Sequence, residues 1–279
     1  MTKRKVVFPL TFIVGLVCSA ILETAAYGKE IKSFEETKAK VSIGYFLPRM
    51  NTELRLSPSN PALPPGDLID MEDDLGLDRD LFLGRVDGYY RLGRKHRIQF
   101  GYFTLERDAQ RVIEKEITYG DITFQINTQV VTELKNSITE IGYMYSLRQT
   151  DRFEVSGTFG VHWLDVKSQL TGDTGGGIIE TSSSSAGGPL PLIGFDIDYA
   201  FTPRWIISLR GMVFSIKMDT FDGNLTDFRG TLEYFFVNNV GVGFGINRFD
   251  MDLSYTDNGS AGDFSWGYDG MQLYITARL

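Results

Sequence analysis

The sequence predicts an all-β chain: an antiparallel transmembrane β-barrel of about ten strands, with eight and twelve as the alternatives. Three observations carry that prediction. Apolar and polar residues alternate with period two through segment after segment. The segments are joined alternately by short and by long connections. An apolar leader opens the chain, and no later apolar run approaches the ~18–20 residues of a transmembrane helix.

The leader has the three zones of a secretory signal. Lys3, Arg4 and Lys5 form a basic start, Val6 to Leu22 an apolar stretch, and Ala25, Ala26 and Gly28 a small-residue end. Residues 1–28 are therefore expected to be a cleaved signal peptide, cut after Gly28 or after Ala26, leaving 29–279 as one barrel domain. Glu23 ends the apolar run, and no basic stop-transfer cluster follows it. Cys18, the single cysteine, follows Val17 where a lipoprotein signal needs a small residue, so lipidation is not expected. A mature chain without cysteine cannot use disulfides, and a closed barrel is one way to do without them.

The alternation defines the strands one by one. In Phe228 to Phe236 one face reads Phe, Gly, Leu, Tyr, Phe and the other Arg, Thr, Glu, Phe. Phe153 to Trp163, Thr139 to Leu147, Ile193 to Phe201 and Trp205 to Val213 repeat the pattern. Ten strands result, at approximately 39–55, 81–93, 97–112, 129–147, 152–171, 189–202, 204–219, 225–237, 240–255 and 264–279. Within the ninth, Val240, Val242, Phe244 and Ile246 alternate, and then Phe249, Met251 and Leu253 change phase. A bulge near Asn247-Arg248 or an extension above the membrane would account for that.

Short turns fall at Gly93 to His96, Arg148 to Asp151, Thr202 to Arg204 and Asn238-Asn239. Long connections fall at Pro58 to Asp80, about Val112 to Thr128, Gly172 to Gly188 and about Thr256 to Asp263, with a tighter turn near Asp219 to Asn224. Short periplasmic turns alternating with longer extracellular loops are the barrel layout. Tyr89, Tyr90, Tyr143, Tyr145, Phe153, Phe201, Trp205, Phe235 and Phe236 crowd the short-turn ends, where an interfacial girdle belongs. The Ser182 to Ser185 run reads as flexible linker within a long loop.

The last segment, Gly270 to Leu279, alternates up to the terminus and resembles the C-terminal signal of outer-membrane barrel proteins. Gly270, Leu273, Ile275 and Leu279 match, although Leu279 stands where Phe or Trp is usual. The mature chain thus resembles the small bacterial outer-membrane β-barrel group. That resemblance implies an outer-membrane location, contact with outer-membrane lipid and lipopolysaccharide, and engagement of the C-terminal strand by the barrel-assembly machinery. It brings no functional residues with it.

Charge excludes one class. The whole chain carries 28 basic and 36 acidic residues, a net −8, and losing three basic and one acidic residue with the leader leaves −10. Nucleic acid is therefore not an expected partner. The inward face is expected to hold Arg85, Asp87, Gln99, Glu140, Glu154, His162, Asp196, Asp198, Arg210, Arg229, Glu233 and Gln272, as a salt-bridged plug or as the lining of a narrow pore. His162 is mid-strand and faces inward, with Glu154, Asp196 and Asp198 the acids on the same or nearby strands that could approach it. His96 falls in a short turn, far from any outer rim.

The acidic stretch from Asp67 to Asp80 departs from the EF-hand pattern, because Leu75 stands where the turn glycine belongs. It reads as a solvated outer loop, or as one that divalent ions bridge to lipopolysaccharide, with Leu75 to Leu77 and Leu81 to Leu83 folding back onto the wall. No catalytic residue, cofactor or resident metal is expected. The expected function is a monomeric, non-enzymatic barrel, structural or a narrow pore for small solutes. A rim-site hydrolase or lipid-modifying enzyme and a surface adhesin acting through the loops are the alternatives.

Overall fold

The computed structural model describes residues 36–60, 62–257 and 260–279. The expected signal peptide, its cleavage sites and Cys18 lie outside the described residues. Thirteen strands form in chain order: β1 (Ala39–Leu56), β2 (Ile69–Asp70), β3 (Leu83–Gly93), β4 (His96–Val112), β5 (Ile117–Tyr119), β6 (Ile122–Phe124), β7 (Gln129–Gln149), β8 (Phe153–Asp173), β9 (Ile179–Thr202), β10 (Trp205–Lys217), β11 (Phe221–Val237), β12 (Val240–Asp257) and β13 (Ser260–Arg278). The ten long ones pair in sequence, β1-β3-β4-β7-β8-β9-β10-β11-β12-β13, and β13 returns to β1 from Lys40–Arg278 to Leu56–Gly262. The ring is closed and antiparallel through the short-turn end and mid-height, where every long strand is paired on both sides, while the pairings of β3 with β1 and β4 and of β9 with β10 stop below the outer end. β2 caps the outer end of β1, and β5 with β6 makes a separate hairpin.

The start of β1, the end of β13 and the four short turns lie at one end of the barrel, where Leu279 N–H donates to Ala39 C=O at 2.8 Å. Strand alternation sets two faces. On β8 the outward residues run Phe153, Val155, Phe159, Val161 and Trp163 before giving way to Asp165 and Lys167. Ten residues at ~3.3 Å rise and a tilt of about 40° make a belt about 25 Å tall, the height of a bilayer's hydrocarbon band. Exposed outward charges mark the upper limit elsewhere: Arg49, Glu106, Lys135, Arg248 and Asp269. All of these strands continue beyond that limit, so the barrel stands well above its apolar belt.

That height corrects several expectations. β9 begins at Ile179, so Ser182 to Ser185 is strand paired to β8 and not linker, and the connection shrinks to Thr174 to Ile178. No bulge interrupts β12 at Asn247-Arg248, because its register with β11 and with β13 runs on through both residues. The phase change arises because the apolar face switches sides. Val242, Phe244 and Ile246 face outward in the belt, whereas Phe249 and Met251 face inward above it. Tyr89 and Phe235 point inward as well and do not join the girdle: Phe235 is fully buried against the Arg278 guanidinium, and Arg97 lies over the Tyr89 ring.

Candidate functional site

The lumen is built in layers from the inward positions. At the short-turn end, Glu154 receives Arg91 Nη2 at 2.8 Å and lies 3.5 Å from Arg97, which also bonds Asp198 at 3.2 Å. Glu233 takes Lys40 Nζ at 2.8 Å and the Tyr274 hydroxyl at 3.0 Å. At mid-height Arg85 donates to Asp87 at 3.1 Å, Glu140 at 2.7 Å and Asn247 at 3.1 Å. Arg229 closes the ring to Asp87 at 2.8 Å and Glu140 at 3.4 Å, and Arg210 holds Asp196 at 2.6 Å. Gln99 and Gln272 lie flat over Gly142 and Gly245, where a Cβ would sit 2.5 and 2.4 Å from their amide nitrogens.

All twelve residues named from the sequence face this lumen. Their charges close on one another once Lys40, Arg91 and Arg97 are added, and burial in a low dielectric demands such pairing. Two more buried charges join the layer, Asp227 accepting from Asn247 Nδ2 at 2.7 Å and Arg278 lying over the Phe235 ring. Lys40, Arg91, Arg97 and Arg278 lay outside the expected set because they sit near strand ends, whereas Asp227 lies well inside β11. Arg97, directly after the Gly93 to His96 turn, is 2 % exposed and wedged between Glu154 and Asp198. His162 is the correction of substance. Its acidic neighbours are Glu140 and Asp227, whose oxygens lie within 4.8 Å of its ring nitrogen and of each other, and not Glu154, Asp196 or Asp198. The reason is register: Glu140 sits directly across from His162 on β7. Two guanidiniums already neutralise Glu140, which makes the cluster a poor cradle for a metal ion. His96 is exposed, with its ring 2.6 Å from the Tyr143 hydroxyl.

Above this polar layer the lumen turns apolar. The Arg85 guanidinium lies 5.4 and 5.0 Å from the ring centres of Phe46 and Phe103. Tyr268 stands edge-on to Phe46 at 5.3 Å and stacks on Phe249 at 5.1 Å, with Trp266 beside them. The segment between β1 and β3 drops into the mouth over these rings, burying Ile69, Met71, Leu75 and Leu77. Glu72 anchors it, accepting from the Thr52 N–H at 2.9 Å and from the buried Arg107. The acidic stretch is therefore not simply a solvated loop; its apolar residues seal the barrel. The β5–β6 hairpin covers the remainder, with Tyr119 bonded to Ser168 at 2.7 Å. Burial pushes that phenol's pKa up.

Beside the seal an open cup of about 840 Å³ faces outward. Leu164, Val166 and Leu190 line one wall, Leu253 and Phe264 another, and serines 57, 168, 182, 183 and 184 interrupt them.

No family model matches the sequence, and no curated protein matches it at a significant level. Solved structures do. The outer-membrane protease OmpT of Escherichia coli superposes with a TM-score of 0.56 at 10% identity, covering 91% of this chain and all of that one. The chain has the β-barrel fold seen in that outer-membrane protein. The likeness supplies the fold alone, and the belt is the chain's own. Weaker likenesses are to OprG of Pseudomonas aeruginosa (TM-score 0.40, 7% identity, 90% and 99% of the two chains) and to Ail of Yersinia pestis (0.31, 10%, 86% and 99%).

Proposed function

We propose that this chain is a non-enzymatic outer-membrane barrel whose lumen is closed, and that it works from its outer face instead of conducting solutes. One observation carries the reading: a paired polar layer and an aromatic layer fill the lumen in succession, and a chain segment seals the mouth. A conducting lumen needs charges facing water. Here Arg85, Glu140, Glu154 and Glu233 are each at most 4 % exposed.

The same packing argues against catalysis at His162, which is 3 % exposed beneath the aromatic layer, out of reach of a substrate. The deciding experiment is planar-bilayer conductance of the folded protein. A heat-modifiable barrel that passes no unitary current is the expected result. Stable steps whose ion selectivity inverts with Arg210→Glu or Glu233→Lys would overturn the reading and establish a pore.

A further inference from the structure

The wall beside the cup is incomplete. β9 pairs with β8 along its whole length, from Asp173–Ile179 to Phe153–Tyr199. Its pairing with β10 stops at Ile193–Val213, while β10 remains paired with β11 up to Lys217–Asp222. Among the described residues, β9 therefore has no strand on its β10 side from Leu192 back to Ile179. The slot opens at the top of the apolar belt, because Pro189 and Pro191 lie opposite Trp163 and Val161, the last outward apolar residues of β8. An open sheet edge at that depth leaves backbone donors without water. Proline has no N–H, and a ladder tolerates it where its nitrogen faces away from the paired strand. The two prolines thus remove donors from the part of the slot nearest the lipid.

Slot and cup are continuous, since Ala186 to Leu190 line both. The cup's chemistry limits its occupant. Its walls are mainly aliphatic, Arg55 is ion-paired with Asp263 at 3.3 Å, and the exposed Asp121 carboxylate is already hydrogen-bonded by Ser59 N–H and Oγ at 2.7 and 2.9 Å. Inside the cup an occupant meets one hydroxyl and one N–H donor, the latter on a guanidinium whose charge Asp263 offsets. Ser57 Oγ and Arg55 Nε are buried with no hydrogen-bond partner. A volume of 840 Å³ falls within the ~300–1,000 Å³ range of sites for small ligands. We propose that the cup binds one uncharged amphiphile, a hydrocarbon chain with a hydroxyl or carbonyl head, which reaches it sideways from the outer leaflet through the slot between β9 and β10.

The test uses the folded protein held in amphipol with radiolabelled 1-dodecanol. Saturable binding of one molecule per barrel is expected, with dodecyl sulfate and dodecyltrimethylammonium at least tenfold weaker. A Cβ at Gly188 meets nothing within 4 Å, so Gly188→Trp fills the cup without straining the wall and should lower affinity at least tenfold. Gly84 is equally open but lies on the outer face, so Gly84→Trp serves as the control that keeps wild-type affinity. Absence of saturable binding, binding indifferent to Gly188→Trp, or equal binding of the charged chains would each overturn the proposal.

The slot has its own readout. In a Cys18→Ser background, a short bifunctional thiol reagent should join Ile193→Cys to Val213→Cys but fail to join Pro191→Cys to Ser215→Cys. A longer reagent bridging the second pair should slow dodecanol uptake from vesicles at least tenfold without changing affinity. Ready joining of Pro191→Cys to Ser215→Cys by the short reagent, or unchanged uptake after bridging, would sink the sideways route.

Discussion

Arg85 is the keystone of the closed lumen, and replacing it tests that closure directly. Its guanidinium makes contacts of 3.1, 2.7 and 3.1 Å to Asp87, Glu140 and Asn247, and its own side chain is 2 % exposed. Arg85→Met keeps an unbranched stem beneath Phe46 and Phe103 but strands the carboxylates. Breaking a buried pair by removing one partner costs about 3–5 kcal/mol, chiefly because the other charge stays buried. Asp87 keeps Arg229 at 2.8 Å, whereas Glu140 is left with Arg229 at 3.4 Å, so Glu140 should dominate the loss.

The assay is urea unfolding of the barrel in lipid vesicles, read by heat-modifiable gel mobility. At a slope of about 2 kcal/mol per molar urea, the midpoint should fall by about 1.5–2.5 M. Arg85→Met combined with Glu140→Gln removes the stranded charge and should recover at least about 1.5 kcal/mol relative to additivity. A single-variant shift below about 0.5 M, or strict additivity in the double variant, would mean that water already reaches these groups. The closed lumen would then be wrong.

The belt predicts which tryptophans lipid can quench: Trp163 and Trp205 are 50 % and 40 % exposed on the outer wall and Trp266 is fully buried, so a Trp163→Phe/Trp205→Phe protein should resist quenching by brominated acyl chains. The seal predicts that Leu75→Ala, which removes a fully buried side chain at a cost of about 2.7–5 kcal/mol, raises the open population of the segment around it at least about 100-fold. Limited proteolysis in that segment reads this, and an unchanged cleavage rate would contradict it. Gly101→Val would place its Cβ 3.0 Å from the Glu140 carboxylate and 3.1 Å from Asp87, so a loss of about 1–3 kcal/mol is expected in the same urea assay. Mass measurement of the exported chain should find it starting at Tyr27 or Lys29; an intact leader would refute the reading of residues 1–28.

Period-two alternation and the spacing of turns pointed by themselves to an antiparallel barrel of about ten strands, with eight and twelve left open until pairing closed the ring at ten, because each strand needs only local information to separate a lipid face from a lumen face. The twelve lumenal residues were legible for the same reason: parity along a strand assigns a side chain to one face of the wall. Parity says nothing about height, and height decided the rest. Once the wall rises above the lipid, apolar residues gain more by facing inward, so Phe249, Met251 and Trp266 read locally as a broken pattern although the strand is regular. Partners across the barrel depend on register and stagger summed around ten strands, which is why His162 meets Glu140 and Asp227 instead of the acids nearest in pattern. The descent of Leu75 into the mouth, the halt of β9–β10 pairing at Ile193 and the cup beside it belong to the tertiary structure alone, because each arises where segments distant in the chain compete for the same enclosed volume.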